Sequence, residues 1–521
     1  MKPLKSLFRI NFLKLHKLFF ANDKFFIFVL LLLFLGIIFT VIGLIRIKIA
    51  ESPYPKTGGI YREGIYEAVE PLNLAKINEN NITQKSILNI LFPPFVEFDN
   101  GKIRSRFFDS YKISNDKLTY TFYLKNNLRW SDGALIDIDD FLFSFNLLQK
   151  TNPGLLLDKV TINMPDRKTV IFTLPNNDNY FLYNLKNFRI FPRQFASFDS
   201  LNQLSFNDLK VSSGPFVFEK IETKNDITIL TLTRNLQYQP QPYLDKIVFY
   251  SYSSVRKAFD ALVLKEIDGL GGVNYFSLPS NIHYDYNIYK IIMPRVVGIF
   301  FNKAQVNEEV IDYLSKAINR QELVKNVFKD YAEATSKIFS PSLRKILLIK
   351  DQAVTSTMSS AITFKDYKNT STLILTVDSS YLYPDIARYL QEKFNFIKIQ
   401  FTDKNNLNKL IAEKKYSALL TGIFFDHLPN LVFFSSAGLN INNHQSLAIE
   451  EKLQRFTQEA NIDLSQELAD LENLILKLKA NIFLVNPYYI YFISKDFYNF
   501  DQSYLFDASS RFVKIEQWFK K

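Results

Sequence analysis

The densest run of residue types capable of chemistry is SDGALIDIDDFLFSFNLLQK, which places Asp137, Asp139 and Asp140 within four positions. Neighbouring carboxylates can do general acid and base work, but their spacing here has a simpler use. Asp137 is placed to cap a helix N-terminus and Asp140 lies three residues on, as in a capping box. Both acids suit the positive end of the helix dipole, and Phe141, Phe145 and Leu148 fall on one helical face. These acids are expected to be structural. The chain holds 4 His and no Cys, and His427 and His444 are only loosely grouped, without a helical His-Glu-x-x-His arrangement, so no metal site is expected. The stretch GLGGVN, Gly269 to Asn274, superficially resembles a dinucleotide loop but lacks the third Gly and a following capped helix. With no Gly-x-Ser-x-Gly elbow and no Walker loop, the expectation is a protein that is not an enzyme and carries no cofactor or metal.

The elements that must position any site begin with an apolar stretch. Phe25 to Ile45 runs 21 residues without a charge, about 31 Å as a helix, close to the roughly 30 Å hydrocarbon thickness of a bilayer. A cleaved secretory signal would want a shorter apolar region and a small-x-small cleavage site, and Lys48 stands two residues before Ala50. Lipidation at a Cys is excluded because there is none. Lys2, Lys5, Arg9, Lys14, Lys17 and Lys24 precede the stretch against Asp23 alone. The positive-inside rule then predicts a cytoplasmic N-terminus over 1–24, an uncleaved anchor over 25–45, and an extracytoplasmic remainder.

The net charge of +11 does not point to nucleic acid. Residues 1–56 hold 9 basic and 2 acidic side chains, and the rest of the chain holds 54 and 50, so the excess is mostly topological, and no nucleic-acid signature accompanies it. Residues 46–59 include ESPYPKTGG, which reads as a tether. A folded domain is expected over 60–521. Its 50 Phe and 28 Tyr against 15 Gly favour large packed cores in more than one lobe. Short β-rich runs, Leu118 to Leu124 and Ile227 to Leu232, alternate with helical patterns such as Asp312 to Phe328, so the class is mixed α/β.

Several patches in order give a specific resemblance. YREGIYEAVEPLNLAKINENNITQKSILNILFPPFVEFDNGKI, with Pro71, Leu72, Asn73, Asp99 and Gly101, is followed by the aromatic strand LTYTFYL and the block Trp130, Asp132, Gly133, Asp140 and Ser144. SSGPFVFEKIE, then Arg234, Asn235 and Tyr238, then VVGIFFNKAQ and a helix with Asn319 in place of the usual Asp complete the series. The match runs weakly onward to Phe512 and Trp518. The sequence resembles the family 5 extracellular solute-binding proteins, the group that includes oligopeptide-, dipeptide- and nickel-binding components of ABC importers.

That resemblance implies an α/β, two-lobed, periplasmic-binding-protein-like (type II, family 5) domain with an added subdomain, preceded here by one transmembrane helix. One lobe would comprise 60–100, 205–290 and 485–521, the subdomain 101–204, and the other lobe 291–484. It implies a membrane-anchored receptor in the cell membrane that captures a small ligand, such as a peptide, nickel chelate or sugar, with peptide favoured, and delivers it to ABC permease and ATPase subunits. A sensory or adhesive surface receptor that keeps the fold without transport is the alternative. In peptide-binding members an Asp in a Trp-x-x-Asp-like stretch meets the ligand's amino terminus. The corresponding LLTGIFFDHLPNLVFF offers Asp426, without the Trp, and a turn-capping acid before Pro429 is the competing reading. Trp130 is the second candidate ligand contact, with packing at a strand-to-helix corner as its other role.

Overall fold

The computed structural model describes residues 23–51, 54–67, 69, 81–99, 102–151, 159–197, 206–273, 279, 281–350, 372–379, 382–425, 431, 433–436, 438–459, 462–500 and 505–521. The chain divides into two compact units, residues 1–56 with 521, and 57–520. The first contains a 29-residue helix, Asp23–Glu51. Its apolar side chains are exposed at consecutive positions from Leu30 to Leu35, and Phe39 is 82% exposed. At 100° per residue such a run leaves no polar face. Among the described residues no helix is long and apolar enough to cross a membrane.

The second unit is built on a 12-stranded mixed sheet. Its centre is the 14-residue strand Asn481–Ser494, NIFLVNPYYIYFIS, whose β-branched and aromatic residues suit a strand buried on both faces. Tyr286–Ile292 and Arg295–Phe301 lie antiparallel to it in succession, the first against Tyr488 to Ser494 and the second against Asn481 to Val485. Two long strand runs therefore travel side by side. The first run is interrupted at Met293 and Pro294, where proline cannot donate to a ladder, while Asn481–Ser494 continues unbroken and at that level pairs antiparallel with Ala332–Ala334. On one side of this break Gly269–Gly271, Ile60–Ile65 and Lys246–Ser251 extend the sheet. On the other, Ala418–Phe424 and Leu373–Asp378 do so.

A separate 4-stranded antiparallel sheet forms from Phe108–Ile113, Thr119–Leu124, Thr169–Thr173 and Thr161–Asp166. Its inner face packs phenylalanines. The Phe95 ring lies 5.0 Å from Phe122 and 5.7 Å from Phe188 in edge contacts, the geometry aromatic pairs prefer. The helix Ile138–Thr151 covers this core with Phe141, Phe145 and Leu148 buried. Its start is the expected reciprocal box: Asp137 Oδ1 accepts from Asp140 N at 3.3 Å, and Asp140 Oδ2 accepts from Asp137 N at 3.1 Å. Asp140 also accepts from Trp130 Nε1 at 2.9 Å and from Arg193 N at 2.9 Å.

The predicted strands over Leu118 to Leu124 and Ile227 to Leu232 appear as Thr119–Leu124 and Ile227–Arg234. The helical pattern Asp312 to Phe328 is two helices rather than one, Glu308–Ala317 and Arg320–Val327. Asn319 divides them, because its extended backbone and its side chain, which accepts from Glu322 N at 3.1 Å, make it the cap of the second.

Asp140→Ala leaves the Trp130 indole N–H and the backbone N–H groups of Asp137 and Arg193 without that acceptor. It is expected to destabilise the chain by about 2–4 kcal/mol in urea unfolding, whereas exposed Asp139→Ala changes stability by less than about 1 kcal/mol. Equal effects would show that the box does not hold this corner.

Candidate functional site

Strand Ile60–Ile65 pairs in parallel with Lys246–Ser251 and Gly269–Gly271. In open α/β sheets the crevice beyond the carboxyl ends of parallel strands is where ligands bind. A cavity of about 400 Å³ opens there, walled by Gly64 to Glu67, Ile82 and Thr83, Gly271 to Val273, Met293 and Arg295, Pro487 to Ile490, Ala508 and Arg511. Its size is that of a small-molecule site. The wall thus includes both strand runs at the level where the first is interrupted.

The floor beneath it is ionic and dry. Glu63 is fully buried and Arg511 is 3% exposed. Arg511 donates from Nε and Nη2 to Glu63 Oε1 at 3.0 and 2.9 Å, and from Nη1 to Ser86 Oγ at 3.0 Å and Ala508 O at 2.7 Å. Glu63 Oε2 accepts from the Tyr61 and Tyr491 hydroxyls at 3.0 and 2.9 Å, and those hydroxyls lie 2.8 Å apart. Burial pushes the Glu63 carboxyl above its ordinary range, and Arg511 with the two hydroxyls draws it only part of the way back. Burial pulls the Arg511 guanidinium down, but Tyr489, Glu63 and Tyr491 outweigh it and hold the cation above its ordinary value. Both tyrosines are pushed well up by burial and the adjoining carboxylate.

Of the glycines discounted as a dinucleotide loop, Gly271 and Gly272 belong to this wall and Gly269 lies in the strand that leads to it. A Cβ at Gly271 would stand 1.9 Å from the Tyr489 hydroxyl, and one at Gly269 would stand 1.8 Å from that of Tyr61. Glycine is required because tyrosine hydroxyls occupy the space a side chain would take. Two further charged groups line the cavity. Glu67 Oε2 accepts from Thr83 N at 3.0 Å, in the first turn of the helix Ile82–Leu91. Arg295 Nη2 donates to the Tyr383 hydroxyl at 2.8 Å, on the helix Tyr383–Lys393 beyond the break. An anion and a cation therefore reach one cavity from different elements, as recognition of a dipolar ligand needs.

A family model described as bacterial extracellular solute-binding proteins, family 5 Middle, matches residues 102–444. The chain belongs to this family. Among curated relatives, a Brucella ovis protein named as an ABC transporter peptide-binding protein is 29% identical over 188 residues, 34% of this chain and 35% of its own length. The chain thus matches about a third of that relative. A solved ABC transporter substrate binding protein of Listeria monocytogenes superposes with a TM-score of 0.75 at 21% identity, over 89% of this chain and 100% of its own. A Helicobacter pylori periplasmic binding protein, solved with the peptide STSA, gives 0.65 at 18% identity, over 89% and 99%. The mixed α/β fold of this family 5 member matches theirs, that of two-lobed binding proteins.

Trp130 is 3% exposed and packs in the core with its indole N–H on Asp140. It is not among the residues lining the cavity. Asp426 lies outside the described residues. The residue before it, Phe425, donates its N–H to Pro294 O at 2.8 Å, at the strand break. Sequence reasoning did not single out Glu63, Arg511, Arg295 or Glu67. No local pattern marked them: the strand IYREGI carries Arg62 beside Glu63, and only the fold shows that Glu63 is the buried one.

Arg511→Met strands the buried Glu63 carboxylate and is expected to lower unfolding stability by about 3–5 kcal/mol. Arg511→Met combined with Glu63→Leu should return to within about 2 kcal/mol of the parent. A double variant as unstable as the single would show that the pairing is not the source of the loss.

Proposed function

We propose that this protein is a non-enzymatic, membrane-anchored receptor that captures a peptide outside the cytoplasm and hands it to ABC permease and ATPase subunits. The observation that carries the reading is the cavity of about 400 Å³ where the strand run 286–301 breaks beside the continuous strand 481–494, with Glu67 and Arg295 in its wall. The amino group of a peptide suits Glu67 and its carboxylate suits Arg295. The names of relatives support the ligand class, one as a peptide-binding protein and one solved with a tetrapeptide. Asp426 is a further proposed contact with the ligand's amino terminus.

In this reading residues 60–100, 205–290 and 485–521 form one lobe, 101–204 an added subdomain, and 291–484 the other lobe. The strand runs pass between the lobes. A ligand that touches both closes them, because closure is favoured by its extra contacts in the closed state. The anchor is proposed from the charge-free stretch Phe25 to Ile45, from its place within the helix Asp23–Glu51, and from the basic residues before it. Tethering keeps receptor and permease at high effective concentration.

Two measurements test this. Thermal unfolding of the full chain against di- to octapeptides should show a raised midpoint, worth about 2.7 kcal/mol at 100 times Kd. No shift with any peptide would remove the ligand class. The full chain should also stay in the membrane pellet after alkaline carbonate washing, and its release would sink the anchor.

A further inference from the structure

The loop 177–180 reaches out from the residues around it to the end of the helix Leu447–Gln458. Asn177 Nδ2 donates to Glu459 O at 2.7 Å, and Asn179 Nδ2 donates to Phe456 O at 2.9 Å and to Glu459 O at 3.0 Å. The last carbonyls of a helix have no partner within it and carry the negative end of its dipole, so amide donors suit them. Beside these bonds the Tyr180 ring meets that of Phe456 edge-on at 5.8 Å, in one apolar cluster with Val296 and Ile423.

Each side of this contact is held in place by its own surroundings. Lys117 Nζ donates to Asn179 Oδ1 at 2.9 Å, which fixes the amide with its N–H groups toward the helix, and Asp178 Oδ1 accepts from Tyr180 N at 2.8 Å. Opposite, Arg455 is ion-paired with Glu459 at 2.9 Å, and Lys452 with Asp470 at 3.2 Å on the helix Leu464–Lys477. Residues 101–204 meet 60–100 and 205–290 differently, through Phe95 against Phe122 and Phe188 and through Ser131 N, which donates to Ser212 O at 2.9 Å. That joint is a dry aromatic core. At the loop, by contrast, no group among the described residues donates to the buried Asn177 Oδ1 or bonds the buried Tyr180 hydroxyl. Burying unmet polar groups offsets much of what the amide bonds contribute, so this contact can be made and released without disturbing either core.

We propose that the loop 177–180 is a latch between lobes, holding the subdomain and the lobe that carries it against residues 291–484 in the ligand-free protein. The inference rests on the two-lobe reading above, in which 101–204 and 291–484 belong to parts that move relative to each other. A contact present in one arrangement of the lobes and absent from the other biases the equilibrium between them by its own free energy. The apparent affinity for ligand then follows the population that is able to bind, so Asn177 and Asn179 tune binding without touching the ligand.

The test uses the full chain in detergent micelles, with spin labels on pairs of introduced cysteines, since the sequence has none of its own. Lys257→Cys on the helix Val255–Val263 and Asn408→Cys on the helix Lys404–Ala412, both exposed, report the distance between lobes. Lys257→Cys with the exposed Lys168→Cys reports whether the subdomain stays on its lobe. Without ligand the parent is expected to give one dominant 257–408 distance. Asn177→Ala combined with Asn179→Ala should raise the share of a second distance relative to the first by about 5- to 30-fold. The 257–168 distance should not change, whereas a merely structural role within the subdomain would move it. Lys117→Asn, which suits the left-handed backbone there (φ 54°) and is too short to reach Asn179, should shift the 257–408 balance the same way by a smaller factor. An unmoved 257–408 distance in the double variant, or in Lys117→Asn where the double variant does not fold, overturns the inference. In that event a change on adding a peptic digest of casein leaves the two-lobe reading standing, and no change removes both.

Discussion

A carboxylate taken fully out of water must be met by a cation and by donors for its remaining lone pairs, or it will take up a proton or expel itself from the core. Glu63 imposes that condition on the protein. Its partners come from distant parts of the chain: Arg511 is 448 positions away and Tyr491 is 428. Arg511 reaches on to Ser86 in the helix Ile82–Leu91 and to Ala508 near the C-terminus. The first strand of the domain, one crossing strand, a helix and the C-terminal segment are thereby held in one register. None of these can shift without leaving a charge or hydroxyl unsatisfied. Because low dielectric makes half-satisfied networks costly, the arrangement acts as a switch between assembled and unassembled rather than as a compliant joint.

Beside that fixed floor the sheet changes partners. Pro294 and Pro487 remove two N–H groups at one level, so the run 286–301 leaves the ladder there and Ala332–Ala334 pairs with Val485 to Pro487 in its place. Across the gap Asn486 Nδ2 donates to Arg295 O, and the Arg295 side chain reaches away from the other run to Tyr383. Side-chain bonds at a break let φ and ψ changes concentrate in a few residues, the pattern expected of a hinge. Arg295 also lines the cavity, so the break and the cavity share a residue.

What the sequence disclosed followed the range of each interaction. The box around Asp137 and Asp140 is closed by residues three apart, and it was readable because cap, dipole and apolar face agree within one helical turn. The division at Asn319 was missed although its signal is local, since an apolar period continues across it and periodicity outweighed the cap. The glycines from Gly269 were noticed, discounted as a dinucleotide loop and given no other role. Their reason is the hydroxyls of Tyr61 and Tyr489, 208 and 218 positions away in the chain, which no local pattern records. Glu63 and Arg511 are each unremarkable in sequence, and only the fold shows that either is buried. Trp130 was legible as a marker of its corner for the same reason as the box: its indole partner is ten residues away.

The composition of the cavity wall follows from these constraints. Tyr66, Tyr488 and Tyr489 bring large rigid rings with polar tips, and each ring has few torsions to lose when a ligand orders it. Gly271 and Gly272 allow those tips to approach the backbone. The charge that could bind ligand most strongly, Arg511, is already engaged by Glu63, so it contributes shape and field more than a free donor set. Glu67 and Arg295, the other charged residues of the wall, are positioned by a helix N-terminus and beside the strand break respectively. The two enter the cavity from elements far apart in the chain, so their spacing is set by how the sheet and the helix are assembled and by no local turn.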